Sequence, residues 1–128
     1  MLPIGVLNKA IEMAEKSSYY PYRVGAVIYK GKRILGAGFN AVRSFSKIND
    51  KYKAFRESLH AEQHAMMNVK NWSSMKGASI IVVRINMSGT ISLAKPCENC
   101  MQSIRAVKIK EIYYSDRNGQ IILEKVEY

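Results

Sequence analysis

The run SIIVVRI, from Ser79 to Ile85, decides how this chain folds. Nearly all of its residues are isoleucine or valine, and only an arginine near its end is charged. A continuous run of branched residues predicts a strand buried on both faces, because a strand with one wet face would alternate polar and apolar residues. A sheet built around such a strand needs a covering layer.

Three helices are predicted around this strand. Between residues 4 and 16 the apolar side chains recur every three or four positions, which is the spacing of one helical face. Residues 60–69 also have a helical pattern. Pro96 is predicted to open the third helix, because proline is tolerated at a first helical position.

Four further strands complete the predicted sheet. Residues 24–29 and 34–39 flank a glycine turn and form a hairpin. Residues 111–115 and 121–128 are separated by DRNGQ, which is too short for a parallel crossover, so they form an antiparallel hairpin. This order of elements predicts a mixed five-stranded sheet covered by helices, an α/β domain. With no linker visible, we expect one domain over residues 1–128.

Composition excludes several classes of protein. The chain has 128 residues, of which 48% are hydrophobic and only three are proline, so it is expected to fold as a globular protein. Its apolar runs are too short to span a membrane. Asn8 and Lys9 interrupt the apolar N-terminus, which argues against a signal peptide. Cys97 and Cys100 are too close to form a useful disulfide staple, so we expect a cytoplasmic location.

The charge favours anionic partners. Lys and Arg number 20 against 10 Asp and Glu, giving a formal net charge of +10. Much of this charge lies in the loop from Arg43 to Arg56, where Phe45, Tyr52 and Phe55 stand between the cations. Such a loop can close over the phosphate of a small nucleotide, or it can form a stacking track for single-stranded DNA or RNA.

Two short motifs carry the residues that can bind a metal. Cys97 and Cys100 are spaced C-x-x-C at a predicted helix start, and one histidine would complete a three-ligand zinc site with an open position. The upstream stretch HAEQH offers His60 and His64 on one helix face, with Glu62 between them. It is not the metalloprotease pattern H-E-x-x-H, because the glutamate does not directly follow the first histidine.

The pairing of HAE with the later PCENC resembles the cytidine and deoxycytidylate deaminase superfamily, whose signature is H-x-E followed by P-C-x-x-C. The similarity extends from about Val24 to Ser115 and includes VGAVI and GFN. It implies a three-layer α/β/α fold and one zinc ion per chain held by His60, Cys97 and Cys100. Glu62 would be the catalytic proton shuttle.

The same resemblance implies substrate contacts. Asn40, which ends GFN, matches the family asparagine that hydrogen-bonds the substrate sugar or base, although asparagine is also common in turns. The backbone N–H groups of Ala61 and Cys97 match those that hold the base carbonyl and the nucleophilic oxygen. Lys95, directly before Pro96, is also expected to contact the substrate. Transfer-RNA adenosine deaminases usually have glutamate at this place, which argues against adenosine editing.

The residues leave some alternatives open. His64 can be a ligand, but a packing role is preferred, and the C-x-x-C pair can also serve as a redox dithiol. A zinc-stabilised nucleic-acid-binding module without activity is a further possibility. Glu62 favours an enzyme, because a zinc used only for folding has no need of a carboxylate beside it.

The predicted function is hydrolytic deamination of a cytosine nucleotide, with deoxycytidylate preferred, to the uracil product and ammonia. The alternative substrate is cytosine in single-stranded nucleic acid. The C-terminal hairpin resembles that of cytidine deaminases acting on free nucleosides, which usually bind zinc with three cysteines, so the chain combines features of two subfamilies. The resemblance also implies self-association into a homo-oligomer.

Overall fold

The computed structural model describes residues 2–17, 22–40 and 60–127. The helices are α1 (Ile4–Lys16), α2 (Ala61–Met67) and α3 (Glu98–Ala106), and a 3-10 turn spans Trp72–Met75. The strands are β1 (Tyr22–Lys30), β2 (Arg33–Phe39), β3 (Ser79–Asn86), β4 (Ile91–Ser92), β5 (Glu111–Ser115) and β6 (Ile121–Lys125). Within these ranges no helix has both the length and the apolar character needed to cross a bilayer.

The strands form one mixed sheet in the order β2-β1-β3-β5-β6, and β4 pairs with the edge of β3. Only β3 and β5 run parallel, and α3 lies in the crossover between them. The other pairs are antiparallel, including the C-terminal hairpin of β5 and β6. The predicted mixed sheet and hairpin are therefore confirmed, while the two-residue β4 is an addition that the sequence did not predict.

Strand β3 supplies the core on both faces of the sheet. Ile80 and Val82 pack into one cluster with residues of α2 and α3, and Ile81 and Val83 pack into a second cluster with α1. All four side chains are buried. This confirms the interpretation of SIIVVRI as a strand covered twice, because successive side chains of a strand point to opposite faces.

Two of the predicted helices begin later than expected, and one of them also ends earlier. His60 is the extended residue before α2, and the helix ends at Met67 rather than at Val69. Pro96 does not open α3, because Cys97 is the cap and the helix begins at Glu98. In both cases a potential metal ligand occupies the cap position, where its backbone is still extended.

Helix α2 lies unusually close to β2, and a glycine makes this possible. A Cβ atom placed on Gly38 would lie 2.4 Å from the backbone nitrogen of Ala65 and 2.7 Å from the carbonyl carbon of His64. Both neighbours are helix backbone, which cannot rotate away. The absence of a side chain at Gly38 therefore sets the distance between α2 and the sheet.

Candidate active site

Three potential metal ligands converge where α2 and α3 begin. His60 directly precedes α2, Cys97 directly precedes α3, and Cys100 lies in the first turn of α3. The imidazole Nδ1 of His60 lies 3.8 Å from Sγ of Cys97 and 3.4 Å from Sγ of Cys100. All three ligand atoms lie within 4.8 Å of one another.

These distances fit a tetrahedral zinc ion. Bonds of ~2.3 Å to sulfur and ~2.0 Å to nitrogen at tetrahedral angles would put the nitrogen and each sulfur about 3.6 Å apart. The two observed separations fall on either side of that value. One imidazole and two sulfurs also form a donor set that zinc prefers, and three protein ligands leave a fourth position for water or substrate.

Burial changes the ionisation of one of the two thiols. Cys100 is fully buried, and both cysteines are free. Burial raises the pKa of the Cys100 thiol, and the neighbouring Glu62 carboxylate raises it further. A coordinated metal ion reverses this effect, because its charge deprotonates a coordinating thiol.

Glu62 stands beside the three ligands without being one of them. It lies in the first turn of α2 and is only 5% exposed. Burial raises the pKa of its carboxyl, while the nearby His60 and a hydrogen bond with Cys100 act in the opposite direction. A buried carboxyl next to a metal site is suited to accept and return a proton.

His64 points away from this cluster and contacts β2. Its Nδ1 lies 3.1 Å from the backbone nitrogen of Phe39, which donates a hydrogen bond to it, and 3.2 Å from the Phe39 carbonyl oxygen. The imidazole ring of His64 and the phenyl ring of Phe39 meet edge to face, with their centroids 5.1 Å apart. In this structure the side chain of His64 joins α2 to the end of β2.

A pocket of about 170 Å³ opens onto two of the three potential ligands, His60 and Cys97. The ligand end is lined by His60, Ala61, Glu62 and Cys97. The remaining lining residues come from β1, from the end of β2, from β3 and from the segment before α3. These are Tyr22, Val24, Asn40, Val82, Arg84, Leu93, Ala94 and Lys95.

Asn40 lines the pocket, but most of its amide already bonds to β1. Its Oδ1 accepts a hydrogen bond of 2.8 Å from the backbone N–H of Val24, and its Nδ2 donates one of 3.1 Å to the Tyr22 carbonyl. Ser17 donates to the Asn40 carbonyl at 2.8 Å. One amide hydrogen and one lone pair are left for a substrate.

The two other predicted substrate contacts also reach the pocket. Ala61 is buried and is the first residue of α2, so its backbone N–H has no partner within the helix. Lys95 lines the pocket, but its Nζ lies 3.9 Å from Oε1 of Glu124 on β6. The same ammonium lies 6.0 Å from the ring centroid of Tyr114. The basic loop from Arg43 to Arg56 lies outside the described residues.

Sequence reasoning missed Arg84 as a pocket residue. Arg84 is the one charged residue in SIIVVRI, and its side chain is on the same face of β3 as Val82. Its guanidinium carbon lies 4.9 Å from the ring centroid of Tyr22. The available signal was the arginine itself, since a charge within a doubly covered strand requires a specific partner or a pocket.

The chain combines a three-layer sheet fold with a His–Cys–Cys cluster that lies beside a buried glutamate. Zinc-dependent nucleobase deaminases are expected to have this arrangement. Residues 4–116 match the family model described as the cytidine and deoxycytidylate deaminase zinc-binding region. The chain belongs to this family, and zinc is the metal for which the cluster of His60, Cys97 and Cys100 is suited.

A curated relative is an uncharacterized deaminase in the luxG 3′ region of Aliivibrio fischeri. It is 30% identical over 104 residues, which cover 78% of this chain and 63% of the relative. This chain therefore matches less than two thirds of the relative's length.

Solved structures share the fold at low identity. A cytidine deaminase from Burkholderia pseudomallei superimposes with a TM-score of 0.68 at 20% identity, covering 98% of this chain and 94% of that one. A dCMP deaminase from the cyanophage S-TIM5 in apo form superimposes with a TM-score of 0.61 at 22% identity, covering 91% and 86%. The cyanophage protein has also been solved in complex with dCMP and dUMP.

Proposed function

We propose that this protein is a hydrolytic deaminase that converts a cytosine nucleotide, deoxycytidylate first, to the uracil nucleotide and ammonia. The observation that carries the proposal is the position of Glu62, a buried carboxyl that shares a pocket with His60 and Cys97. A zinc ion held only for folding would not need that carboxyl. The family of the chain supports the same reaction class.

The reaction replaces the exocyclic amine of cytosine with oxygen from water. His60, Cys97 and Cys100 would hold the zinc ion, which would supply the Lewis acidity needed to activate water near neutral pH. The Glu62 carboxylate accepts one proton from the water and delivers it to the ring nitrogen. It then accepts the remaining proton of the hydroxyl added to the ring carbon and passes it to the departing amine, which leaves as ammonia. Water and cytosine are consumed, and uracil and ammonia are formed.

The chain's other pocket residues position the substrate. The backbone N–H of Ala61, which has no partner within α2, is available to the base carbonyl, close to the ligand end of the pocket. Asn40 offers its remaining amide hydrogen or lone pair to the sugar or base. Because its other bonds fix the amide to β1, this group is held in place before the substrate arrives.

A mononucleotide is the preferred substrate class because the pocket is small and carries cations at its wall. Its volume of about 170 Å³ suits one base with part of its sugar, and Arg84 and Lys95 both line it. Among the structural neighbours, one is a dCMP deaminase and another a cytidine deaminase. Because these two neighbours differ in their named substrates, the turnover of a nucleotide should be compared with that of its nucleoside.

Cytosine in single-stranded DNA or RNA is the second candidate substrate, and the net charge of +10 favours it. A polynucleotide contacts several phosphates, so its binding weakens steeply as salt is raised. A mononucleotide makes fewer such contacts. The dependence of activity on salt therefore separates the two candidates.

The decisive experiment is a screen for ammonia release from cytidine, deoxycytidine, their monophosphates, guanine and a cytosine-containing oligonucleotide at two salt concentrations. We expect turnover of the monophosphates, with deoxycytidylate best. Activity restricted to the oligonucleotide and suppressed by salt would replace our proposal with the second candidate. Binding of zinc and nucleotide without ammonia release from any substrate would make the protein a binding module.

Self-association and a cytoplasmic location stay predictions. Light scattering at micromolar concentration tests the first, and a monomer there would contradict it. Fractionation of cells that express the protein tests the second.

A further inference from the structure

Arg84 carries a charge that no carboxylate in the described part of the chain compensates. It makes no ion pair there, and its Nε is buried without a hydrogen-bond partner. Its guanidinium makes a cation–π contact with the face of the Tyr22 ring, with the guanidinium carbon 4.9 Å from the ring centroid. A partly buried cation without an anion is unfavourable, so a site of this kind favours an anionic ligand.

Lys95, a second cation that lines this pocket, has an acidic neighbour. The ammonium of Lys95 lies 3.9 Å from the Glu124 carboxylate, and more than half of its side chain is exposed. Among the described lining residues, Glu62 is the only acid, and it lies at the ligand end. Arg84 is therefore the one uncompensated cation among the described residues that line the pocket.

The position of Arg84 suits the far end of a nucleotide. The ligand end of the pocket is formed by His60, Glu62 and Cys97, where the base must react. Tyr22 is 39% exposed, which places its ring at the mouth, and the guanidinium of Arg84 lies against that ring. A nucleotide with its base at the metal would direct its phosphate toward this mouth.

Strand β3 and the tyrosine ring hold Arg84 in place. Its backbone pairs with Val24 on β1 and with Ser92 on β4, and its N–H is bonded to Oγ of Ser115 at 3.3 Å. The side chain therefore rises from the middle of the sheet rather than from a loop. A guanidinium held in one orientation can bind two phosphate oxygens with parallel hydrogen bonds.

We infer that Arg84, supported by Tyr22, binds the terminal phosphate monoester of the substrate and makes this protein select a nucleoside monophosphate over its nucleoside. The inference rests on the proposed function and names the substrate class for the same site. It assigns phosphate recognition to the sheet, whereas the sequence had suggested the loop from Arg43 to Arg56. Arg84 is thus a specificity-determining residue.

The test compares Arg84→Gln with Arg33→Gln, which removes the same charge from the exposed start of β2. For Arg84→Gln we expect the ratio of kcat/KM for deoxycytidylate to kcat/KM for deoxycytidine to fall about 10- to 100-fold, the value of a charge-assisted hydrogen bond. Arg33→Gln should match wild type on both substrates. Arg84→Lys keeps the positive charge but lacks the paired N–H groups of the guanidinium. Its kcat/KM for deoxycytidylate should therefore fall less than that of Arg84→Gln.

A binding measurement gives a second readout. In calorimetry, wild type should bind dUMP more tightly than deoxyuridine, and Arg84→Gln should bind the two with similar affinity. The zinc content and melting temperature of the variant should stay at wild-type values. Equal losses for nucleotide and nucleoside, no loss at all, or a loss only with an oligonucleotide would overturn the inference. If the wild type releases no ammonia from any substrate, the proposed function fails, and the dUMP measurement still decides the role of Arg84.

Discussion

His60 Nδ1 and Cys100 Sγ lie 3.4 Å apart although 40 positions separate the two residues in the chain. From this proximity we propose that His60, rather than His64, is the imidazole ligand. We expect His60→Ala to lose bound zinc and His64→Ala to retain about one zinc per chain, because His64 bonds to Phe39 instead. Elemental analysis of the purified variants measures this. Zinc retained by His60→Ala and lost by His64→Ala would reverse the assignment.

Replacing Glu62 with glutamine should separate metal binding from turnover. Glu62→Gln removes the group proposed to carry the proton but keeps its size in a buried position. We expect kcat to fall about 100-fold or more, which is the usual worth of acid–base help, with zinc content unchanged. Glu98→Gln, an exposed matched change on α3, should leave kcat unaltered. Activity of Glu62→Gln within a few-fold of wild type would remove this residue from the mechanism.

Asn40→Ala should weaken both the fold and the pocket. The substitution leaves the N–H of Val24 and the carbonyl of Tyr22 without their side-chain partner, which we expect to lower the free energy of unfolding by about 1–3 kcal/mol. KM for the substrate should also rise, because Tyr22 and Val24 line the same pocket. Urea unfolding measures the first effect, and Asn118→Ala in an exposed turn is the control. Equal stability of the two variants would contradict this role.

Gly38→Ala should disturb the metal site from a distance. The new methyl group would meet helix backbone at 2.4 Å, so α2 must move, and we expect a loss of about 1–3 kcal/mol from overpacking. The affinity for zinc should fall together with the stability, because His60 directly precedes α2 and would move with this helix. Gly5→Ala is the matched control, since nothing lies within 4 Å of a Cβ atom there. Competition with a chromogenic chelator measures the affinity, and an unchanged value for Gly38→Ala would refute the coupling.

Local patterns predicted most of the fold. The period of α1, the branched run of β3 and the short DRNGQ turn each reflect physics within one segment, and the structure confirms all three. The two-residue β4 was missed because its pairing depends on the turn between Asn86 and Thr90 rather than on a pattern of its own. Cap positions were also misjudged, since Pro96 lies outside α3.

The candidate site was predicted only in part, and for a different physical reason. His60, Cys97 and Cys100 could be named together because the paired motifs HAE and PCENC resemble the signature of zinc-dependent deaminases. Arg84 and Tyr22 carry no such signature, and they meet because β1 and β3 pair in register. The sequence could also not show that Lys95 lies near Glu124 on a later strand. Contacts across strands depend on register, which no single segment encodes.

The convergence of the three ligands also makes the metal a crosslink. His60 belongs to the half of the chain that holds the first hairpin, while Cys97 and Cys100 belong to the crossover that leads into the C-terminal hairpin. A bond through the ion would close a loop of 40 residues, and by the chain-entropy relation used for disulfides such a closure is worth about 4 kcal/mol. The ion that activates water would thereby act as a reversible staple, so that folding stability and catalytic competence depend on the same metal supply.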